Sequence, residues 1–374
     1  MSKKVGLAVI YDPHNIYQFL WYYCTYGKDM DWYALCLPNS SKGEYLSEVC
    51  EKLGIFKRIF RDTKPFDSMP MKRRFELFIK MFLFAIFGQR KRFCENFIAS
   101  YIDGLFFDTA VVLTDVGFIS GMFLSLGTKK EIVILEDGMG DYIDRKYSNI
   151  FSHFHNFFDV QGFILSILGY SNTGHYFPLR TTKNCRKFSS HPDKMKYKKY
   201  KEMSVLFDNS NTDTDLLKRY SELLYPKLAD YFSRDWDIVL LTTPITDYVS
   251  DDSKYIEKIQ NYVKNNFKSV LIKKHPRDSA TYNFGNDVVV KEIDQKIPAE
   301  VLLPYFNKTE IYFCEHSSTN LYMTAYNYKP HYFYFSELLE ENLREREILV
   351  QYRAKEKFVN DLRFFGLPEN VIEL

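Results

Sequence analysis

"AVVLTDVGFISGMFLSLGTKKEIVILEDG", residues 110–138, decides the reading of the fold. AVVLT (110–114) is a short apolar run of buried type, and EIVIL (131–135) is a second. DVGFISGMFLSLG, between them, reads as a helix. Strand, helix and strand at this spacing predict a parallel sheet, since parallel neighbours need a crossover long enough to hold a helix. The second strand runs straight into Glu136, Asp137 and Gly138. In open parallel sheets ligands sit beyond the carboxyl ends of the strands, so an acid there is placed for chemistry. A partly desolvated carboxylate can take a proton from a hydroxyl. A plain Asp-Gly turn, with Gly138 supplying a positive φ, accounts for the same residues without chemistry.

The same style extends in both directions. VGLAVI (5–10) and YALCL (33–37) are strands upstream. Downstream come DIVLLTTP (237–244), the helix 252–267 with Ile256, Ile259 and Val263 on one face, SVLIKKHP (269–276), IYFCEHSS (311–318) and HYFYF (331–335). TNLYMTAYNY reads as a helix before the last of these. Two α/β halves therefore flank a different middle. Residues 181–203 are polar and basic without an apolar period and read as a linker or exposed loop. The expected organisation is an N-terminal Rossmann-like domain over 1–180, that linker, a C-terminal Rossmann-like domain over 204–335, and a charged helical tail over 336–374. A chain of 374 residues fits about two domains.

Composition narrows the classes. Hydrophobic residues make up 46% and charged residues 26%, the balance of a globular protein with a sizeable core. A net charge of +2 argues against a general nucleic-acid binder. The cysteines, at 24, 36, 50, 94, 185 and 314, form no Cys-x-x-Cys pair and read as reduced thiols. The opening MSKKVGLAVIYDP is too short in apolar residues for a signal peptide, and no run suits a membrane-spanning helix. The expected location is cytoplasmic.

Residues 71–93, MKRRFELFIKMFLFAIFGQRKRF, stand apart. The basic triplets Lys72–Arg74 and Arg90–Arg92 bracket an apolar stretch. Such a segment can lie in a membrane interface and bind anionic lipid. A core helix with charged ends is the other reading.

Two more strand ends carry chemistry-bearing residues. KKHPRD supplies Lys273, Lys274, His275, Pro276 and Arg277, and several cationic donors around one histidine suit a phosphate. EHSSTN supplies Ser317, Ser318 and Thr319 at a helix start, where free N–H groups hold a phosphate or carboxylate, or where the hydroxyls simply cap.

Acid-acid-Gly, then Lys-x-His-Pro, then Ser-Ser-Thr, each after a strand, resembles the bacterial lipooligosaccharide and capsule sialyltransferases of glycosyltransferase family 52 and the related bacterial polysialyltransferases. The matching stretches are LEDGMGDY, KKHPRD and EHSSTN, 20 residues spread over half the chain. The resemblance implies an α/β, GT-B-like architecture, two Rossmann-like domains with parallel sheets facing a cleft. It implies a CMP-sialic acid donor, a glycan hydroxyl acceptor in bacterial surface polysaccharide, inversion at the anomeric carbon and no metal or other cofactor. One acid of the Glu136-Asp137 pair would deprotonate the acceptor, with Glu136 favoured by its place in the motif, and Gly138 and Gly140 would turn the chain away. His275 would stabilise the departing phosphate, flanked by Lys273, Lys274, Pro276 and Arg277. Ser317, Ser318 and Thr319 would hold the donor phosphate or carboxylate. The membrane-facing segment would make the protein peripheral on the inner face of the cell membrane. Addition of one sialic acid or of a chain both fit, and the basic stretch 184–201 suits a polyanionic product. A CMP-Kdo or CDP-polyol-phosphate transferase, and a capsule-assembly scaffold without activity, are the rival readings. Asp29-x-Asp31, Asp213-x-Asp215 and Asp235-x-Asp237 imitate a metal-binding pair but are placed as turns and caps. His153 and His155 have no acidic or cysteine partner nearby in sequence.

Overall fold

Apolar runs that are buried on both faces belong in the middle of parallel sheets. In the computed structural model, VGLAVI, TAVV and EIVIL form the centre of one sheet, and IVLL, SVLIK and EIYF the centre of another. The structure describes residues 3–11, 13–37, 43–61, 69–112, 118–126, 130–136, 168–170, 184–189, 191–195, 198–208, 211–245, 251–306, 309–314, 328–335, 363 and 370–374. The chain divides into two compact units, 1–224 and 225–374.

The first unit contains β1 (Val5–Ile10), β2 (Asp31–Cys36), β3 (Phe56–Arg61), β4 (Thr109–Val112), β5 (Glu131–Leu135), β6 (Cys185–Ser189) and β7 (Ser204–Leu206). Their order across the sheet is β3-β2-β1-β4-β5-β6-β7, with every pairing parallel. Its helices are α1 (Pro13–Tyr22), α2 (Gly43–Leu53), α3 (Met71–Ile86), α4 (Arg90–Ala99), α5 (Phe118–Leu124), α6 (Lys198–Met203) and α7 (Thr214–Leu224). The second unit contains α8 (Leu228–Tyr231), β8 (Ile238–Leu241), α9 (Ser253–Asn266), β9 (Ser269–Lys273), β10 (Val289–Ile293), β11 (Glu310–Phe313), β12 (His331–Tyr334) and β13 (Val371–Glu373). Its sheet runs β10-β9-β8-β11-β12-β13, again all parallel. Counted from its own first strand, each sheet begins 3-2-1-4-5-6. That is the Rossmann order, whose ligand crevice opens at the carboxyl ends where the order reverses. The reversal falls between β1 and β4 in the first sheet and between β8 and β11 in the second.

Each sheet is sealed by its own core. In the first, Leu7, Val9, Ala110, Val112, Ile132 and Ile134 pack with Phe93, Ile98 and Phe123 from the helices. In the second, Ile238, Leu240, Val270 and Ile272 meet Tyr255, Ile256, Ile259 and Val263 of α9. Gly6 of β1 lies against the ring of Trp32 on β2, and a Cβ there would stand 2.5 Å from Cε3 of the indole. Glycine is required by that close approach. Trp21 and Trp32 are buried in the first unit, and Trp236 is buried in the second.

The middle of the chain departs from the sequence expectation. Residues 181–203 hold β6 and α6, with β7 directly after them, and β6 pairs with β5 in the first sheet. The stretch is therefore no linker among its described residues, and the second unit begins at Tyr225 rather than at 204. The physical reason is Lys187, fully buried in the middle of a strand whose sequence, CRKFS, shows no apolar period. The terminal segment also contributes β13 to the second sheet, beside β12, which a helical tail does not provide. Residues 71–93 form two helices instead of one, separated at Gly88 with φ +68°.

Candidate active site

The second unit gives the clearer geometry. Strand β9 ends at Lys273, and the chain turns at once through Lys274, His275, Pro276 and Arg277. Proline occupies the second position of a β-turn closed by the Asp278 N–H donating to the His275 carbonyl at 2.9 Å. The adjacent strand, β8, exits at Thr242, whose N–H continues the ladder onto the Lys273 carbonyl at 3.1 Å. The Thr242 hydroxyl accepts the His275 N–H at 3.3 Å and donates to the buried carboxylate of Asp278. Asp278 also accepts the Tyr282 hydroxyl at 3.2 Å and the Ala280 N–H at 2.9 Å. Gln295, in the loop after β10, spans both ends of the turn. Its amide donates to the His275 carbonyl at 3.3 Å and to the Asp278 carbonyl at 2.7 Å.

This scaffold fixes the imidazole electronically as well as in space. The Arg277 N–H donates to His275 Nδ1 at 3.2 Å, which requires a lone pair on Nδ1. In the neutral ring the proton therefore sits on Nε2. A half-buried histidine just past a strand end, with a donor on Nε2, suits an anionic oxygen.

The neighbouring cations divide. Lys273, expected from sequence to bind the donor, is instead 3% exposed, and its ammonium donates to the carbonyls of Lys274 and Gln295. Burial pulls its pKa down to about 8, against the opposing pull of Glu300, Asp294 and Glu292. It ties the β9 exit to the β10 loop. Lys274 Nζ lies 3.4 Å from Glu292. Pro276 and Arg277 are exposed at the turn. Ser317, Ser318 and Thr319 follow β11 in sequence but lie outside the described residues. By strand order, the β9, β8 and β11 exits share one edge of the sheet at its point of reversal.

In the first unit, Glu136 is the residue immediately after β5 and is 6% exposed. Its backbone carbonyl accepts the side-chain amide of Gln18 at 2.8 Å. Gln18 in turn accepts from Asn15 at 3.2 Å, and Asn15 accepts the Tyr11 N–H at 3.1 Å. The Tyr11 hydroxyl pairs with Ser120 at 2.8 Å. The exits of β1 and β5 and the start of α5 are thus held by one polar chain at the carboxyl edge of the sheet. Asp137, Gly138 and Gly140 lie outside the described residues.

Sequence reasoning missed Thr242, Asp278, Tyr282, Gln295, Asn15 and Gln18. Only Asp278 carried a signal, as the last letter of KKHPRD. The Asp-x-Asp imitations do structural work. Asp213 accepts the Leu216 N–H at 3.0 Å at the start of α7, and Asp237 accepts the N–H groups of Lys268 and Ser269 at 2.8 Å each. Among the described residues no three His, Cys, Asp or Glu side chains gather as a metal site would require.

Two parallel-sheet units, each of Rossmann order, give the chain an α/β, GT-B-like fold. The fold matches an α/β-galactoside α-2,3-sialyltransferase of the luminous marine bacterium Photobacterium phosphoreum, with TM-score 0.52 and 12% identity over 100% of this chain and 99% of that one. It also matches the glycotransferase of kitacinnamycin, with TM-score 0.50 and 6% identity over 100% of this chain and 87% of that one. No curated protein matches by sequence. The family model for alpha-2,8-polysialyltransferase matches residues 122–330, more than half of the chain and all three motif stretches. The chain belongs to the alpha-2,8-polysialyltransferase family and is an enzyme of sialyl transfer.

Proposed function

We propose that the protein extends α-2,8-linked sialic acid chains of a bacterial surface polysaccharide, using CMP-sialic acid, with inversion and without a metal. The observation that carries the mechanism is the half-buried His275, held with a donor on Nε2 at a strand exit beside the reversal point of its sheet. In this reading the acceptor hydroxyl gives its proton to a carboxylate, for which we choose Glu136 over Asp137. Its oxygen bonds to the anomeric carbon of the donor as the bond from that carbon to phosphate breaks. His275 donates through Nε2 to the phosphate of the departing CMP, joined by Ser317, Ser318 and Thr319. The transition state separates a cationic sugar from an anionic nucleotide, so fixed donors at the phosphate act where they matter most. Asp213 is occupied as a helix cap and Asp237 by the N–H groups that lead into β9, which supports the metal-independent reading. The proposed workplace is the cytoplasmic face of the cell membrane, where residues 71–93 would meet anionic lipid.

The test is transfer from CMP-sialic acid to an oligosialic acid in excess EDTA, read by product chain length and CMP release. The parent is expected to elongate the acceptor. Glu136→Gln is expected to lose transfer by two or more orders of magnitude while binding donor almost normally. Strict dependence on Mg²⁺ or Mn²⁺, transfer from CMP-Kdo alone, or a parental rate for Glu136→Gln would overturn the reading.

A further inference from the structure

Helix α3 is apolar on two sides. Phe78, Met81 and Phe84 pack on the first core. Phe75, Ile79, Phe82, Leu83 and Ile86 are exposed, and Phe87, just past the helix, is 72% exposed. The spacing 75, 79, 82 and 86 puts these residues in one stripe. A helix on a globular surface normally turns charge to solvent, and a contiguous apolar patch of this kind marks an interaction site.

The surrounding charge says what covers it. Lys72, Arg73 and Lys80 are exposed on the same helix and Lys91 and Arg92 at the start of α4, with Glu76 the acid among residues 71–93. The other two cations of the segment are engaged by the fold. Arg74 donates to the Met69 carbonyl at 2.9 Å, and Arg90 donates to the Leu168 carbonyl at 2.9 Å. After Gly88 the chain turns, and α4 buries Phe93, Cys94 and Ile98, so the apolar stripe ends with α3. Sixteen residues make a helix about 24 Å long, short of a bilayer's apolar core. No described helix is long and apolar enough to cross a membrane.

We infer that α3 lies in the interface of an anionic bilayer, with its Phe75–Ile86 stripe in the acyl boundary and the five exposed cations of residues 71–93 among the headgroups. The apolar stripe supplies insertion, and the cations supply the preference for anionic lipid. Insertion is thereby assigned to one face of one helix rather than to the two basic triplets. The inference rests on the membrane placement proposed above and names the helix face that carries it; its test stands apart from the transferase reading, because binding is measured without substrate.

The experiment is cosedimentation of the whole protein with vesicles of phosphatidylglycerol and phosphatidylcholine, or of phosphatidylcholine alone, over a range of salt. The parent is expected to bind the anionic vesicles at least tenfold more tightly. The variant Phe75→Ser/Ile79→Ser/Phe82→Ser should lose at least tenfold at every salt concentration. The variant Lys72→Ser/Arg73→Ser/Lys91→Ser/Arg92→Ser should lose the preference for anionic lipid and most of the salt dependence. Both should transfer to a soluble acceptor at the parental rate. No vesicle binding by the parent, or parental binding by the apolar variant, would overturn the inference. So would a parent dimer that the apolar variant dissociates, since a second copy would then cover the stripe.

Discussion

At the scale of the residue, His275 is held by its own turn and by the exits of the two neighbouring strands. The Arg277 N–H selects its tautomer, and Thr242 and Gln295 hold its backbone. Substituting His275 by alanine removes the Nε2 donor and leaves the turn, because the turn is closed by backbone and by Gln295. Turnover is expected to fall by two or more orders of magnitude at saturating donor, with the unfolding midpoint little changed. Near-parental turnover would take His275 out of the mechanism. The places of Glu136 and His275 at strand exits were legible because an apolar run leads into each, directly at Glu136 and through two lysines at His275. Thr242, Gln295 and Gln18 were not, because each reaches its partner from another strand or helix and leaves no local pattern.

Elements show the same division. Central strands such as VGLAVI and EIVIL are apolar on both faces and announce themselves. The strands at or next to a sheet edge, FKRIFR, CRKFS and VVKEI, mix charge into the pattern and do not. Lys273 at the end of β9 has a measurable consequence. Its proton is held less tightly in the folded chain, near pH 8, than in the unfolded chain, where lysine titrates at about 10.4. Across that window the unfolded state carries the extra proton, so this residue makes stability rise with pH. Urea unfolding of the parent and of Lys273→Met should therefore diverge from pH 8 upward, with the parent gaining roughly 1–3 kcal/mol relative to the variant by about pH 10. Parallel curves would show that the ammonium is solvated.

For the whole molecule, the boundary at Leu224 makes a claim about folding. Helix α7 belongs to the first unit by packing on α1 and α2, with Leu217 fully buried. The chain before it is fastened by Thr25 to Thr212 at 2.8 Å and by Lys28 to Asp213 at 2.7 Å. A fragment of residues 1–224 is expected to unfold cooperatively in urea, and one ending at 203 to bind a hydrophobic dye and show no sharp transition. Equal midpoints for the two fragments would return the boundary to the earlier position. The placement of the tryptophans then has a practical use. Because Trp21 and Trp32 lie in the first unit and Trp236 alone in the second, each half carries its own intrinsic fluorophore. Replacing Trp236 by phenylalanine silences the second half, so the emission lost from the parent spectrum during denaturation is a signal from that half alone.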